Sequence, residues 1–144
     1  MTTIRSARAS DLQAVTTLLQ EAKLPIAGVE AHLRDFLVAE DESSIVGCAG
    51  LERYGDAALL RSVAVTPALR GTGLGQRLTA ACLDMARTSG IATVVLLTET
   101  AEKFFPRFGF TVVPRTQLPQ AVQASEEFRG ACPDSARAMM LALS

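Results

Sequence analysis

Hydrophobic positions along the chain alternate between a period of 3.6 and a period of 2, as expected of a mixed α/β domain. Ile4 to Ala7 predict a short first strand. Ser10-Asp11-Leu12-Gln13 reads as a capping box opening a helix, with Leu12, Val15, Leu18 and Leu19 on one face and Pro25 closing it. A second short helix is expected from Val29 to Asp35. Phe36 to Glu40 is a strand, Asp41 to Ser44 a turn, and Ile45 to Arg53 the next strand. Gly55-Asp56 turns the chain into a third, Ala58 to Val65; strands joined this closely are antiparallel neighbours. Beyond Pro67 comes a glycine-rich loop. An amphipathic helix follows, marked by Leu74, Leu78, Ala81, Cys82, Met85 and Ala86, and stops at Gly90. Thr93 to Thr98 is an unbroken apolar run, the pattern of a central strand covered on both faces. A short helix over Glu102–Phe108 and closing strands at Thr111–Val113 and Ala138–Leu143 complete the pattern. Pro114 to Pro133 is a long polar segment with at most one helix, Gln120–Phe128, and is a candidate lid.

The 144 residues contain no repeat or linker, so one domain spanning 1–144 is expected. Fourteen basic residues nearly cancel fifteen acidic ones, which removes the positive footprint of a nucleic-acid binder. No apolar run approaches the roughly 20 residues needed to cross a bilayer, and no secretory signal is visible, so a cytoplasmic protein is expected. Cys48, Cys82 and Cys132 form no C-x-x-C pair. Cys48 falls in a strand pattern and Cys82 on an apolar helix face, so both read as buried, inert thiols, and no metal site is expected.

The loop Arg70-Gly71-Thr72-Gly73-Leu74-Gly75 carries the chemistry. A helix N-terminus offers unpaired N–H groups and a positive dipole end, and glycines let a phosphate approach them. Arg70 adds charge at the loop mouth. A P-loop would need Gly-Lys-Ser/Thr, which is absent, and a dinucleotide fold would need G-x-G-x-x-G near the start of a parallel sheet.

Together with Val63-Ala64-Val65-Thr66-Pro67 and Phe104-Phe105-Pro106-Arg107-Phe108-Gly109-Phe110, this loop resembles the GCN5-related N-acetyltransferases. The resemblance implies an α/β (α+β) fold with a mixed, mostly antiparallel sheet of about seven strands splayed in a V, flanked by about four helices. It implies acetyl-CoA as cosubstrate. The backbone of Val63, Ala64 and Val65 would pair with the pantetheine arm, and N–H groups from Gly71 to Gly75 would hold the pyrophosphate. Phe104 and Arg107 would complete the cofactor site, and the Val63 N–H would stabilise the oxyanion.

Two positions depart from the family. Where many members carry a tyrosine as general acid, this chain has Phe105, and where many carry a glutamate base, it has Leu59. Water or a neighbouring acid must then take the amine proton; Glu52, Glu99 and Glu126 are the candidates. Strand alternation puts Leu59, Arg61, Val63 and Val65 on one face, so Arg61 points where the acceptor should lie. A cation there either pairs internally with an acid such as Glu52 or clamps an acidic group of the acceptor. Ser62, Thr98 and Thr100 offer hydroxyls to the acceptor. Tyr54 is either a surface residue or a pocket wall, and His32 reads as a packing or surface residue.

The strings Leu60 to Val65, Leu97 to Phe105 and Cys132 to Ala136 are similar to arsenic-resistance (arsinothricin-type) N-acetyltransferases. The acetyltransferase domain of glutamate N-acetyltransferases is a further relative. Both imply transfer of acetyl to the α-amine of a small glutamate-like molecule or its arsenic or phosphorus analogue. Another small amine, a protein N-terminus, or acyl-CoA binding without turnover stays open. A homodimer is compatible with the sequence.

Overall fold

The structure is a computed structural model that describes residues 2–99, 101–128 and 135–143. Seven strands form one sheet: β1 (Thr2–Ser6), β2 (Phe36–Asp41), β3 (Ser44–Tyr54), β4 (Ala57–Val65), β5 (Thr93–Thr98), β6 (Thr111–Val113) and β7 (Arg137–Ala142). Their order is β1-β2-β3-β4-β5-β7-β6; among the described residues β4–β5 pair in parallel and the other neighbours antiparallel. The β2–β3 hairpin closes through Glu42 and Ser43, both with positive φ (49° and 69°), the two-residue turn whose twist suits an antiparallel pair.

Among the described residues three α-helices flank the sheet: α1 (Leu12–Glu21), α2 (Val29–His32) and α3 (Leu74–Thr88). The sequence suggested four. Glu102–Phe108 instead contributes a single 3-10 turn at Phe105–Phe108, because Pro106 has no N–H to continue an α-helical ladder. Gln120–Phe128 likewise yields a 3-10 turn at Gln120–Ala124, ended by an extended Ser125. The expected Ser10 capping box is also replaced. A 3-10 turn, Ala9–Asp11, precedes α1, and the Asp11 carboxylate accepts from the Arg8 N–H (2.7 Å) and the Arg5 guanidinium (2.8 Å).

One face of the sheet is covered by α3, whose Leu74, Leu78, Cys82 and Ala86 recur every four residues and meet Leu51, Leu60 and Leu96. The other face carries Val15, Leu18 and Leu19 of α1 against Val38, Cys48 and Ala64. Farther along that face, Leu118 and Val122 cover Leu59 and Val95. The segment from Pro114 to Phe128 is therefore packed down by its apolar residues. Both Cys48 and Cys82 are buried and their thiols are pushed up to about 12, chiefly by burial. Cys132 and the Cys132-Pro133-Asp134 string lie outside the described residues.

β4 contains a bulge. Arg61 faces Gly50 and Ala64 faces Cys48, so Ser62 and Val63 together oppose Ala49. Ser62 takes φ 61°, a left-handed conformation that costs a non-glycine residue about 1–2 kcal/mol. The extra residue reverses the alternation of side chains. Leu59 and Arg61 face the α1 side, whereas Val63 and Val65 pack with the α3 cluster. This corrects the expectation that all four share one face.

Gly50 lies directly opposite Phe36, whose ring would stand 2.3 Å from an added Cβ. Gly50→Ala should destabilise the fold by about 1–3 kcal/mol through overpacking, read as a lower urea midpoint at unchanged slope.

Candidate active site

The ladder between β4 and β5 consists of Ala57↔Thr93, Ala58↔Val94 and Leu59↔Val95 and then stops. Leu60–Val65 and Leu96–Thr98 run on apart. A cleft of about 880 Å³ opens at the far end of β4. Val63, Ala64 and Val65 form one wall, Arg70, Gly71, Thr72, Gly73 and Gly75 its end, and Phe104, Phe105 and Arg107 the other wall. Gly71 and Gly73 have φ of +83° and +88°, so these two positions need glycine for the turn itself, with nothing crowding a Cβ at either. Gly73 caps α3, leaving the first N–H groups of that helix without intrahelical partners at the cleft. The Leu74 side chain is buried in the core, so only its backbone belongs to the loop, the part for which N–H groups were expected.

Arg70 donates from Nε to the Val65 carbonyl (3.2 Å), tying the loop back to the strand end. Arg107 stacks over Phe104 at 4.7 Å from the ring centroid. Lys103, one position before the aromatic pair, also lines the cleft, and nothing in its local sequence marks it as a site residue. Arg70, Lys103 and Arg107 thus surround a cleft that, among the described residues, no Asp or Glu lines. In a chain of net charge −1, that concentrates positive potential at the loop, as a polyphosphate ligand requires.

The expected acceptor residues fall elsewhere. Arg61 is sealed off: its Nη1 donates to Glu52 Oε2 (2.7 Å) and to the Ala27 carbonyl (2.6 Å), Nη2 to the Pro25 carbonyl (3.0 Å), and Nε to Ser62 Oγ (2.9 Å). Glu127 Oε2 lies 3.4 Å from the same Nε. The internal pairing with Glu52 is therefore the arrangement observed. Four of its five N–H groups are so engaged and its side chain is excluded from solvent, so in this arrangement Arg61 presents no open face to an acceptor. Ser62 is buried with its hydroxyl on Arg61. Glu52 is the register partner of Leu59, one strand away from the position where the resemblance expected a base.

Glu52 is fully buried, and its carboxylate is held by Arg61 and the Tyr54 hydroxyl, with His32 Nε2 at 3.7 Å. It has no open face for an amine, so direct proton abstraction by Glu52 does not fit. Burial alone would raise its pKa, but the donors on Tyr54, Arg61 and Ser125 together outweigh burial and hold it below the usual carboxylate range. Tyr54 is pushed up to about 12 by burial and by donating to Glu52. It is a member of this network and of the cluster under Leu118 and Val122. Glu99 and Glu126 are exposed, and neither lines the cleft. Thr98 accepts from the Ala101 N–H (3.0 Å) at the turn after β5. Thr100 lies outside the described residues. No group of three or more His, Cys, Asp or Glu among the described residues is placed to hold a metal, and no described helix is long and apolar enough to cross a membrane.

Residues 32–112 match the family described as "Acetyltransferase (GNAT) domain". An amino-acid acetyltransferase of Mycobacterium tuberculosis is 33% identical over 129 residues, covering 83% of this chain and 74% of the relative. The chain belongs to the GNAT acetyltransferase family, whose members take the acyl group from acetyl-CoA. It is also similar to an amino-acid acetyltransferase of Neisseria meningitidis, 30% identical over 94 residues; that match covers 64% of this chain and 22% of the relative's length. Among solved structures, Rv2747 from Mycobacterium tuberculosis, in complex with CoA, superposes with a TM-score of 0.82 at 26% identity, covering 99% of both chains. N-acetylglutamate synthase from Neisseria gonorrhoeae, complexed with coenzyme A and N-acetyl-glutamate, shares the fold at a TM-score of 0.85 and 24% identity, covering 100% of this chain and 35% of the other.

A depressed Glu52 stabilises the folded state fully above the usual carboxylate pKa, and that contribution is lost as pH falls through the lowered folded value. Urea midpoints should therefore fall on acidification below about pH 4.5, and Glu52→Gln should lose part of that slope. An identical slope in both proteins would remove Glu52 from the acid response.

Proposed function

We propose that this chain is an acetyl-CoA-dependent N-acetyltransferase acting on the α-amine of a small amino-acid acceptor. A glutamate-like acid or its arsenic or phosphorus analogue is the preferred class. The observation that carries the reading is the parting of β4 from β5 beside a glycine-rich loop and a cleft ringed by Arg70, Lys103 and Arg107. The names of the amino-acid acetyltransferases among its relatives support the acceptor class.

On this reading the pyrophosphate sits against the N–H groups from Gly71 to Gly75, where helix end and cations both favour negative charge. The pantetheine arm extends along the open edge of Val63–Val65 as an added strand would. The acceptor amine attacks the thioester carbonyl. The Val63 N–H takes the developing oxyanion, and the tetrahedral adduct collapses with loss of the CoA thiolate. Phe104 and Phe105 give the thiolate wall no hydroxyl, so solvent supplies its proton. With Glu52 sealed and Glu99 exposed, water at the cleft mouth takes the amine proton.

Thiol release from acetyl-CoA, followed with glutamate, a phosphorus-containing glutamate analogue and lysine peptides, tests this directly. Release with the glutamate-like acids is expected. Release with lysine peptides alone would overturn the acceptor class, and no release with any amine would leave an acyl-CoA-binding module. Gly73→Val, which forces a β-branched residue to φ +88°, should raise the acetyl-CoA KM roughly tenfold, the equivalent of about 1.4 kcal/mol of backbone strain.

A further inference from the structure

Ser62 is the one described non-glycine residue of left-handed φ that lies within a strand's core rather than at a turn or helix end. Its conformation makes the bulge, and the bulge takes Val63 out of the β3–β4 register and turns it to the cleft wall. A strained conformation persists only where its surroundings over-determine it. Two buried donors do so here. Arg61 Nε donates to the Ser62 hydroxyl (2.9 Å), and the Cys48 thiol donates to the Ser62 carbonyl (3.2 Å). The guanidinium is itself held in place, since the carboxylate of Glu52 and the carbonyls of Pro25 and Ala27 accept from its remaining nitrogens.

We infer that Arg61 and Cys48 are positioning residues that pin Ser62 in its left-handed conformation and thereby aim the Val63 N–H at the reacting carbonyl. Neither touches the substrates. Arg61 acts from β4 itself and Cys48 from the neighbouring strand, one on the side chain of Ser62 and the other on its main chain. Burial pushes the Cys48 thiol up to about 12, which keeps its S–H in place as a donor near neutral pH. The loop Pro25–Gly28 is tied to the same guanidinium, and Gly28 lies so close that an added Cβ would stand 3.1 Å from Nη1. The pin therefore links the bulge of β4 to the connection between α1 and α2.

The inference rests on the acetyl-transfer reading for its kinetic readout, and a second readout is independent of it. Arg61→Lys keeps a cation for Glu52 but has no Nε–H to offer Ser62, and Cys48→Ala removes the second donor with little loss of volume. Each should lower kcat about tenfold while the acetyl-CoA KM stays within about twofold. That is less than the roughly 10²–10³ lost when an oxyanion donor is deleted, because the N–H is misaimed rather than absent. Glycine adopts positive φ without needing a pin. Ser62→Gly placed in either background should therefore recover most of kcat, with Ser62→Gly alone as the reference for the cycle. Backbone amide exchange at residues 62–64, compared with the rest of β3 and β4 in the unliganded protein, should accelerate in Arg61→Lys and Cys48→Ala and slow again on adding Ser62→Gly. Unchanged kcat in both single variants, or a loss that Ser62→Gly does not recover, would overturn the pin. If the wild-type chain transfers no acetyl group, the functional reading fails and amide exchange alone decides the pin: unaltered exchange overturns it.

Discussion

β4 is hydrogen-bonded to β5 only as far as Leu59. A strand in the middle of a sheet that loses its neighbour must satisfy its freed backbone groups with water or a ligand. The remaining architecture is arranged around that opening. α3 places its N-terminus at the mouth of the cleft, and its Leu74, Leu78 and Cys82 anchor that position in the core. The glycines before it make the turn, Arg70 fastens the loop to Val65, and the Phe104–Arg107 stack supplies the facing wall. The cleft is cationic because Lys103 joins Arg70 and Arg107, with no acid along the lining among the described residues.

Behind the opening lies a second constraint, the buried charge of Arg61. A guanidinium excluded from water needs its partners in place, and removing one would leave the others uncompensated. Glu52, Glu127, Ser62 and two carbonyls of the α1–α2 connection converge on it. One side chain thus draws together β3, β4, the α1–α2 connection and the segment after Pro114. The apolar contacts of Leu118 and Val122 hold residues 114–128, the described part of the segment expected as a lid, against this face of the sheet.

Much of this was legible in the sequence because local rules decided it. Apolar patterning, alternating or continuous, gave all seven strands to within a residue or two, and the glycine spacing located the loop where two residues need positive φ. The cleft walls at Val63–Val65, Phe104 and Arg107 followed from the resemblance to the acetyltransferases. What escaped was non-local. Period-two alternation placed Arg61 with Val63 because nothing in Arg61-Ser62-Val63 signals a bulge, which arises from pairing with β3. Glu52 and Arg61 are both visible as charges in apolar strands, yet only the register of the hairpin decides that they face each other rather than a ligand. Lys103 became relevant only once the turn after β5 carried it to the loop. The helix expected over Glu102–Phe108 gave way to a 3-10 turn at Pro106, and Gln120–Phe128, where at most one helix was expected, holds a 3-10 turn that ends at an extended Ser125.

The central claim is that the parted strands and the glycine loop form a single coenzyme site. Titrating unliganded, isotope-labelled protein with coenzyme A and following backbone amide shifts tests it most directly. The account predicts the largest shifts at Val63–Val65 and Gly71–Gly75, with smaller ones at Phe104 and Arg107 and little change at His32 or Arg53, which line a separate pocket beside α2. Shifts centred on His32 and Arg53, with the loop glycines unmoved, would contradict it.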